Sequence, residues 1–380
     1  MKKLLSLLLA VFMVFALVGC AGSSDSADAG DDAAVAEEGY KIAVVTDVGQ
    51  VNDGGFNEFS YEGAKSFAEA HGYTYKYYQP ANGSDATDDD RVAAMRQAIE
   101  NGAEVIVTPG FLQQAAIATV AAESPEVKFV FVDGWNFGMA NVTAICYAEE
   151  EAGYFAGYAA AKDGYTKLGG TFGGAATNAA CNRYCFGYIQ GINAAAAELG
   201  TTVDVTVSFF YGGAFSSSPE LQTQIAGWYN NGTQVVFSCG GSMLNSVIAA
   251  AEETTDGKII GVDVDQSGIS DRVITSACKG LKPSVEQTLE IWDAGNWDSQ
   301  LADKTNNMKA SNQGTEIPTA EGSWRFNSFT VDEYKAIFDK VVSGEITINS
   351  DCADLTDAAN NASWAALKAA CTNVNLTVEE

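Results

Sequence analysis

The residues best suited to chemistry lie in one short stretch, Thr46-Asp47-Val48-Gly49-Gln50-Val51-Asn52-Asp53-Gly54-Gly55-Phe56-Asn57, directly after an apolar run. It sets carboxylates, carboxamides and one aromatic ring on a glycine-rich segment too polar to be core. A ring stacks on a flat heteroaromatic ligand, while Asp and Asn side chains bond the donors and acceptors on its edge. The same residue types also build turns, because Asp, Asn and Gly all favour them. Further polar or glycine positions follow later apolar runs: Gly110, Asp133, Gly240 and Asp263.

Other chemistries have little support. The one histidine, His71, stands beside Gly72 at an expected helix end, so a Ser-His-Asp triad or a histidine-rich metal site is not expected. No G-x-G-x-x-G follows the first apolar run and no Walker A sequence occurs. Paired carboxylates discriminate nothing in a chain with 49 acids. No cofactor, no metal and no catalysis are expected.

The elements that must hold these groups alternate. Continuous apolar strands are expected at 41–46, 73–79, 105–108, 129–132, 168–172, 203–210, 234–238 and 258–262. Helices are expected between them: Tyr61 to Ala70 carries an apolar stripe and stops at Gly72, and Asp88-Asp89-Asp90 opens another with an acidic first turn. Further helices fall at 113–123, 182–199, 220–230, 242–254, 331–342 and 364–371, whereas 296–322 reads as an exposed polar excursion. Buried strands alternating with helices imply parallel sheets covered on both faces, and about 340 residues exceed what one core usually serves. The expected fold is therefore α/β with two doubly wound lobes, in which ligands bind beyond the carboxyl ends of the strands.

The N-terminus reads as an export signal. Lys2 and Lys3 precede an apolar run from Leu4 to Val18, too short to span a bilayer, which closes on Leu17-Val18-Gly19-Cys20. Cys20 is the expected lipidation site of a signal covering residues 1–20. Residues 21–39 form a polar tether that cannot bury enough apolar surface to fold. The formal charge of −28 suits solubility outside the cell and argues against nucleic acid. Apart from Cys20 the cysteines are Cys146, Cys181, Cys185, Cys239, Cys278, Cys352 and Cys371. Cys352 and Cys371 could form a disulfide; Cys181 and Cys185, at helical spacing with no histidine nearby, are expected to be packed thiols.

The body resembles the basic membrane protein family of substrate-binding lipoproteins, which is related to a purine-nucleoside receptor of treponemes. Four ordered motifs carry the likeness. Asp47 to Asn57 is similar to the family's D-x-G-x-x-D-x-S/G-F-N, one residue longer before Asp53. Phe131-Val132-Asp133 follows the fourth strand, and Glu150 to Ala161 is similar to E-x-x-x-L-A-G-x-x-A-A. Ile260-Gly261-Val262-Asp263 comes next, followed by Ile274-Thr275-Ser276 and Lys279. Tyr211-Gly212-Gly213-Ala214-Phe215 is similar to the family's Y-x-G-S-F, whereas the loop at Gly173–Arg183 departs from its usual Pro-containing form.

The resemblance implies a type I periplasmic binding protein with a hinged cleft that passes purine nucleosides to an ABC permease. Phe56 and Phe215 would be facing stacking rings, Asp47 and Asn57 would read the base edge, and Asp133, Gly240, Asp263 and Lys279 would meet the ribose. An ion pair between Lys279 and an acid such as Asp263 is the alternative role for both. The first lobe is expected at 40–145 plus about 275–320, the second at 146–274 plus about 321–380. The protein is expected to be a monomer, extracytoplasmic and tethered to the membrane by Cys20. A sugar or autoinducer-like ligand, a sensing role beside a membrane signalling receptor, and nucleoside hydrolysis are the competing readings.

Overall fold

The computed structural model describes residues 39–379 except Gly49 and residues 211–214. The expected signal with Cys20, the tether up to residue 38, Gly49 of the first motif and Tyr211 to Ala214 of the fifth lie outside the described residues.

Two sheets organise the chain. The first holds β1 (Ile42–Val45), β2 (Tyr75–Tyr78), β3 (Val105–Pro109), β4 (Lys128–Val132), β5 (Val142–Tyr147) and β11 (Thr305–Met308), in the order β11-β5-β4-β3-β1-β2. All its pairings are parallel. The second holds β6 (Lys167–Phe172), β7 (Val203–Phe209), β8 (Val235–Cys239), β9 (Lys258–Asp263), β10 (Val273–Lys279), β12 (Thr315–Glu316) and β13 (Val374–Glu379), in the order β12-β10-β9-β8-β6-β7-β13. Only β12 runs antiparallel there, against β10. Helices α1 (Phe56–His71), α2 (Asp88–Glu100), α3 (Gln114–Glu123) and α8 (Leu281–Asp293) belong with the first sheet. Helices α4 (Glu149–Lys162), α5 (Ala179–Leu199), α6 (Pro219–Asn230), α7 (Met243–Glu252), α9 (Val331–Val342) and α10 (Ala362–Ala370) belong with the second.

The chain crosses between the lobes three times: from β5 to α4, from β10 to α8, and from β11 to β12. This differs from the expected lobe boundary at about 275–320. Strand β10 extends the second sheet through parallel bonds to β9, so only α8 to β11 return to the first lobe. Nor is 296–322 a bare excursion. It supplies β11 and β12, both edge strands, and an edge strand leaves enough surface in water to be polar.

The expected strand-helix alternation holds because the strands are apolar on both faces; all four residues of β1 and all five of β3 and of β8 are buried. The Glu150–Ala161 motif is explained by helix packing. Gly153 and Gly157 of α4 face Gly187 and Gly191 of α5, with no room for a side chain. A Cβ at Gly187 would lie 1.9 Å from the Glu150 carbonyl oxygen, and one at Gly157 would lie 2.2 Å from that of Tyr188. The two backbones are therefore in contact, which fixes the start of α4 against the middle of α5. Tyr154, Phe155 and Tyr158 of this stretch are core.

The seven described cysteines are free thiols, six of them buried. The Cys352–Cys371 disulfide is thus corrected: the Cys352 thiol donates to the Ser350 carbonyl at 3.4 Å, while Cys371 closes α10. Among the described residues no helix is long and apolar enough to cross a membrane.

Candidate functional site

The first motif forms a helix-capping turn and lies in the candidate site. Asp53 caps α1: its Oδ1 accepts from the Gly55 and Glu58 backbone N–H groups, and its Oδ2 from that of Asn57. These are donors that a helix start leaves unsatisfied. The cap explains why α1 begins at Phe56, five residues earlier than its apolar stripe predicts. It also turns the Asn57 amide, whose Nδ2 donates to Asp53 Oδ2 at 3.1 Å and to Asp47 Oδ1 at 3.4 Å. With the NH2 committed, buried Asn57 Oδ1 has no hydrogen-bond partner and stands as an acceptor.

Asp47 sits just past β1. Its carboxylate accepts from the Val48 N–H, and Arg91 Nε donates to its backbone carbonyl. Gly110, just past the neighbouring β3, has φ +102°, and a Cβ there would come within 2.2 Å of Asp47 Oδ2. Glycine is required here by both conformation and space.

The centre of the site is Lys279, the last residue of β10, with a side chain 3% exposed. Its Nζ lies 2.6 Å from Asp133 Oδ2, 3.2 Å from Glu149 Oε1 and 3.5 Å from Asp263 Oδ1. Asp133 follows β4 in the first lobe and Asp263 ends β9 in the second. Both adopt left-handed backbone, φ 60° and 67°. That conformation is uncommon outside glycine, and Asp is among the residues that tolerate it. The same turn in each lobe brings the two carboxylates to one ammonium. The Phe56 ring lies 5.5 Å from Lys279 Nζ, with the Tyr147 and Tyr184 rings each at 5.4 Å. Tyr184 also donates to Asp263 Oδ1 at 3.3 Å.

Burial disfavours the Lys279 charge, but Asp133, Asp263 and Glu149 outweigh it and hold the ammonium well above the ordinary lysine range. Burial likewise opposes ionisation of Glu149, and Lys279 with Arg183 overcomes this and holds it below the usual carboxylate range. Asp133 is left short. Burial pushes it up to about 6, Lys279 offsets only part of the cost, and Glu149 and Asp263 add repulsion. Burial also raises Asp263. Three carboxylates share one ammonium, so the pairing cannot compensate all of them. Asp133 Oδ1 is buried without a hydrogen-bond partner, a second acceptor waiting for a donor.

Phe215 and Gly240 lie together. A Cβ at Gly240 would sit 2.7 Å from Met243 Sδ and 3.1 Å from Phe215 Cδ1, so the bare backbone makes room for the ring. Phe215 meets Phe111 of the other lobe edge-on, ring centres 6.3 Å apart. Ile269 also comes close to Gly54 across the lobes. The structure thus gathers Phe56, Asp133, Asp263 and Lys279, joins Asp47 to Asn57, and pairs Phe215 with Gly240. The ion pair foreseen for Lys279 exists, with Asp133 nearer than Asp263.

Sequence reasoning missed Phe111, Tyr147, Glu149, Arg183 and Tyr184. Phe111 follows Gly110 past a strand end, a place that could have marked it. Glu149 opens a run of three acids, which in sequence reads only as a favourable charge at a helix start. Arg183 and Tyr184 carry no signal: nothing local shows that α5 turns them toward the site.

Two parallel-sheet α/β lobes, three crossings between them, and polar and aromatic groups of both at the carboxyl ends of their strands define a type I periplasmic binding protein. The model of the family described as ABC transporter substrate-binding protein PnrA-like matches residues 40–351, and the chain belongs to that family. It is 32% identical over 237 residues to the ABC transporter nucleoside-binding protein BmpA of Lactococcus lactis subsp. cremoris, covering 60% of this chain and 64% of that one. It is 25% identical over 250 residues to basic membrane protein A1 of Borrelia garinii subsp. bavariensis, covering 64% and 70%. The chain thus spans just under two thirds of the first of these relatives. A solved ABC transporter system solute-binding protein from Aeropyrum pernix K1 shares the fold, with TM-score 0.66 and 20% identity, covering 86% of this chain and 97% of that one.

Proposed function

We propose that this chain is the extracytoplasmic, Cys20-anchored receptor of an ABC importer and captures a purine nucleoside between its lobes. The observation that carries the reading is the convergence of Asp133 and Asp263, one from each lobe, on Lys279 beside the Phe56 ring. Carboxylates and an ammonium suit the hydroxyls of a ribose, and a ring beside them suits a base. Stacking contributes about 1–3 kcal/mol per base. Phe215 is the second ring in this reading. The buried acceptors Asp133 Oδ1 and Asn57 Oδ1 favour a ligand that brings donors, hydroxyls for the first and an N–H on the base edge, also read by Asp47, for the second. Gly240 keeps the approach open for ring and sugar. The relative named as a nucleoside-binding protein supports the same assignment.

A ligand touching both lobes favours closure only through contacts made in the closed state, and the closed form would be what a permease recognises. No step calls for catalysis. The test is calorimetry with inosine, guanosine, adenosine, cytidine, ribose and galactose. Micromolar or tighter binding of purine nucleosides is expected. Binding of a free sugar with no response to any nucleoside overturns the assignment. The anchor is tested by labelling cells with palmitate: lipid retained on a Cys20→Ala protein refutes it.

A further inference from the structure

Of the three acids that open α4, two reach the other connections between the lobes, Glu149 at Lys279 and Glu151 at 310–315. Glu149, fully buried, receives Arg183 Nε on Oε2 at 2.5 Å and faces Lys279 Nζ with Oε1 at 3.2 Å. Glu150 lies near the same guanidinium, with Oε2 3.8 Å from Arg183 Nε. Glu151 Oε2 accepts from the Ala310 N–H at 2.6 Å and from Thr315 Oγ1 at 2.7 Å. The first crossing enters α4 at these residues, the second leaves from Lys279, and the third runs through 310–315. One helical turn therefore touches all three connections between the lobes. The glycine contact of α4 with α5 makes this turn stiff, because Gly187 of α5 rests on the Glu150 backbone. Arg183 lies one turn earlier on that same helix.

We propose that Arg183 is a positioning residue for ligand binding: through Glu149 it sets where the Lys279 ammonium stands between Asp133 and Asp263. The inference rests on the reading of that cluster as the ligand site. Arg183 occupies one oxygen of Glu149 and leaves the other to Lys279. With Arg183 removed, Glu149 keeps Lys279 as its cationic partner, and the ammonium shifts toward Glu149 and away from the aspartates. Arg183 reaches the cluster through Glu149, so its effect requires Glu149 to be charged.

The experiment compares Arg183→Gln, Arg183→Lys, Glu149→Gln and the Arg183→Gln/Glu149→Gln double variant in the full chain. Inosine affinity is read by calorimetry, and the Lys279 ammonium signal by nitrogen-15 lysine NMR without ligand. Arg183→Gln is expected to weaken inosine binding about tenfold, a coupling of ordinary size for residues in one network. Arg183→Lys restores most of it, and the double variant binds no worse than Glu149→Gln alone. The Lys279 signal moves in Arg183→Gln and stays in place in Arg96→Gln, whose guanidinium pairs with Glu123 on the surface. Unchanged inosine affinity with an unmoved Lys279 signal overturns the proposal, as do additive losses in the double variant. Should Glu149→Gln fail to fold, the two Arg183 variants still decide. If the wild type binds no nucleoside, the nucleoside reading falls, and the Lys279 signal alone decides the role of Arg183.

Discussion

Replacing Lys279 by Met tests the central cluster directly. The methionine keeps an unbranched apolar stem, one atom shorter, and removes the ammonium with its charge and its donors. It takes the ammonium from three carboxylates that stood 2.6, 3.2 and 3.5 Å away on residues that are buried or nearly so, and of these Glu149 keeps Arg183 while Asp133 and Asp263 lose their cation. Breaking one side of a buried ion pair costs about 3–5 kcal/mol, because the remaining charge is left without compensation. At about 2 °C per kcal/mol for a body of this size, the melting temperature should fall by about 6–10 °C at pH 7.5. The sign of the pH dependence follows from which protonation state the fold favours. Asp133 already stands at about 6 in the native protein, above its ordinary 3.8, so its part of the stability is present at low pH and is lost as pH rises through about 6. Without Lys279 burial acts on Asp133, Asp263 and Glu149 with less opposition, and their folded values all rise. The deficit of the variant is therefore largest at pH 8 and shrinks toward pH 5, by up to about 1.4 kcal/mol per pH unit for each proton taken up. Urea denaturation of both proteins at pH 5, 6, 7 and 8 measures it. A deficit below about 1 kcal/mol at pH 7.5, or one that grows on acidification, refutes the cluster as a compensated buried network.

Other expectations follow from single residues. Phe56→Ala should weaken purine nucleoside binding by about 1–3 kcal/mol, or about 5- to 150-fold, in calorimetry; wild-type affinity would remove its stacking role. Gly110→Ala places a methyl group against Asp47 Oδ2 at a φ of +102°, and should lower both melting temperature and affinity, whereas an unchanged protein would show that Asp47 can move freely. Asp163 accepts hydrogen bonds from Asn327, Ser328 and Phe329, including all three backbone N–H groups, far in sequence from its own helix. Asp163→Ala should cost about 1–3 kcal/mol in denaturant unfolding and leave ligand affinity as it was; a loss of affinity would tie that anchor to the cleft.

Sequence alone determined the alternation of strand and helix, because apolar periodicity and helix ends are local properties. It also placed Asp47, Asp133 and Asp263 at strand ends, since a polar residue closing an apolar run is visible without any partner. It named Lys279 and Phe56 through motifs, and it left the Asp47–Asn57 stretch open between turn and site. In the structure Asp53 caps the helix start, and Asn57 Oδ1 is a buried acceptor without a hydrogen-bond partner.

Only the tertiary structure decided which sheet takes β10, because a strand carries no mark of the neighbour that will satisfy its backbone. Only it brought Asp133 and Asp263 together, 130 positions apart in the chain, through matching left-handed turns in two lobes. Glu149 and Arg183 are the clearest case. Each reads as an ordinary surface charge on a helix, and each becomes part of a buried network only because glycines let α4 and α5 pack backbone to backbone. Burial turns an inexpensive surface charge into one that must be paired, and burial is a property of the assembled fold.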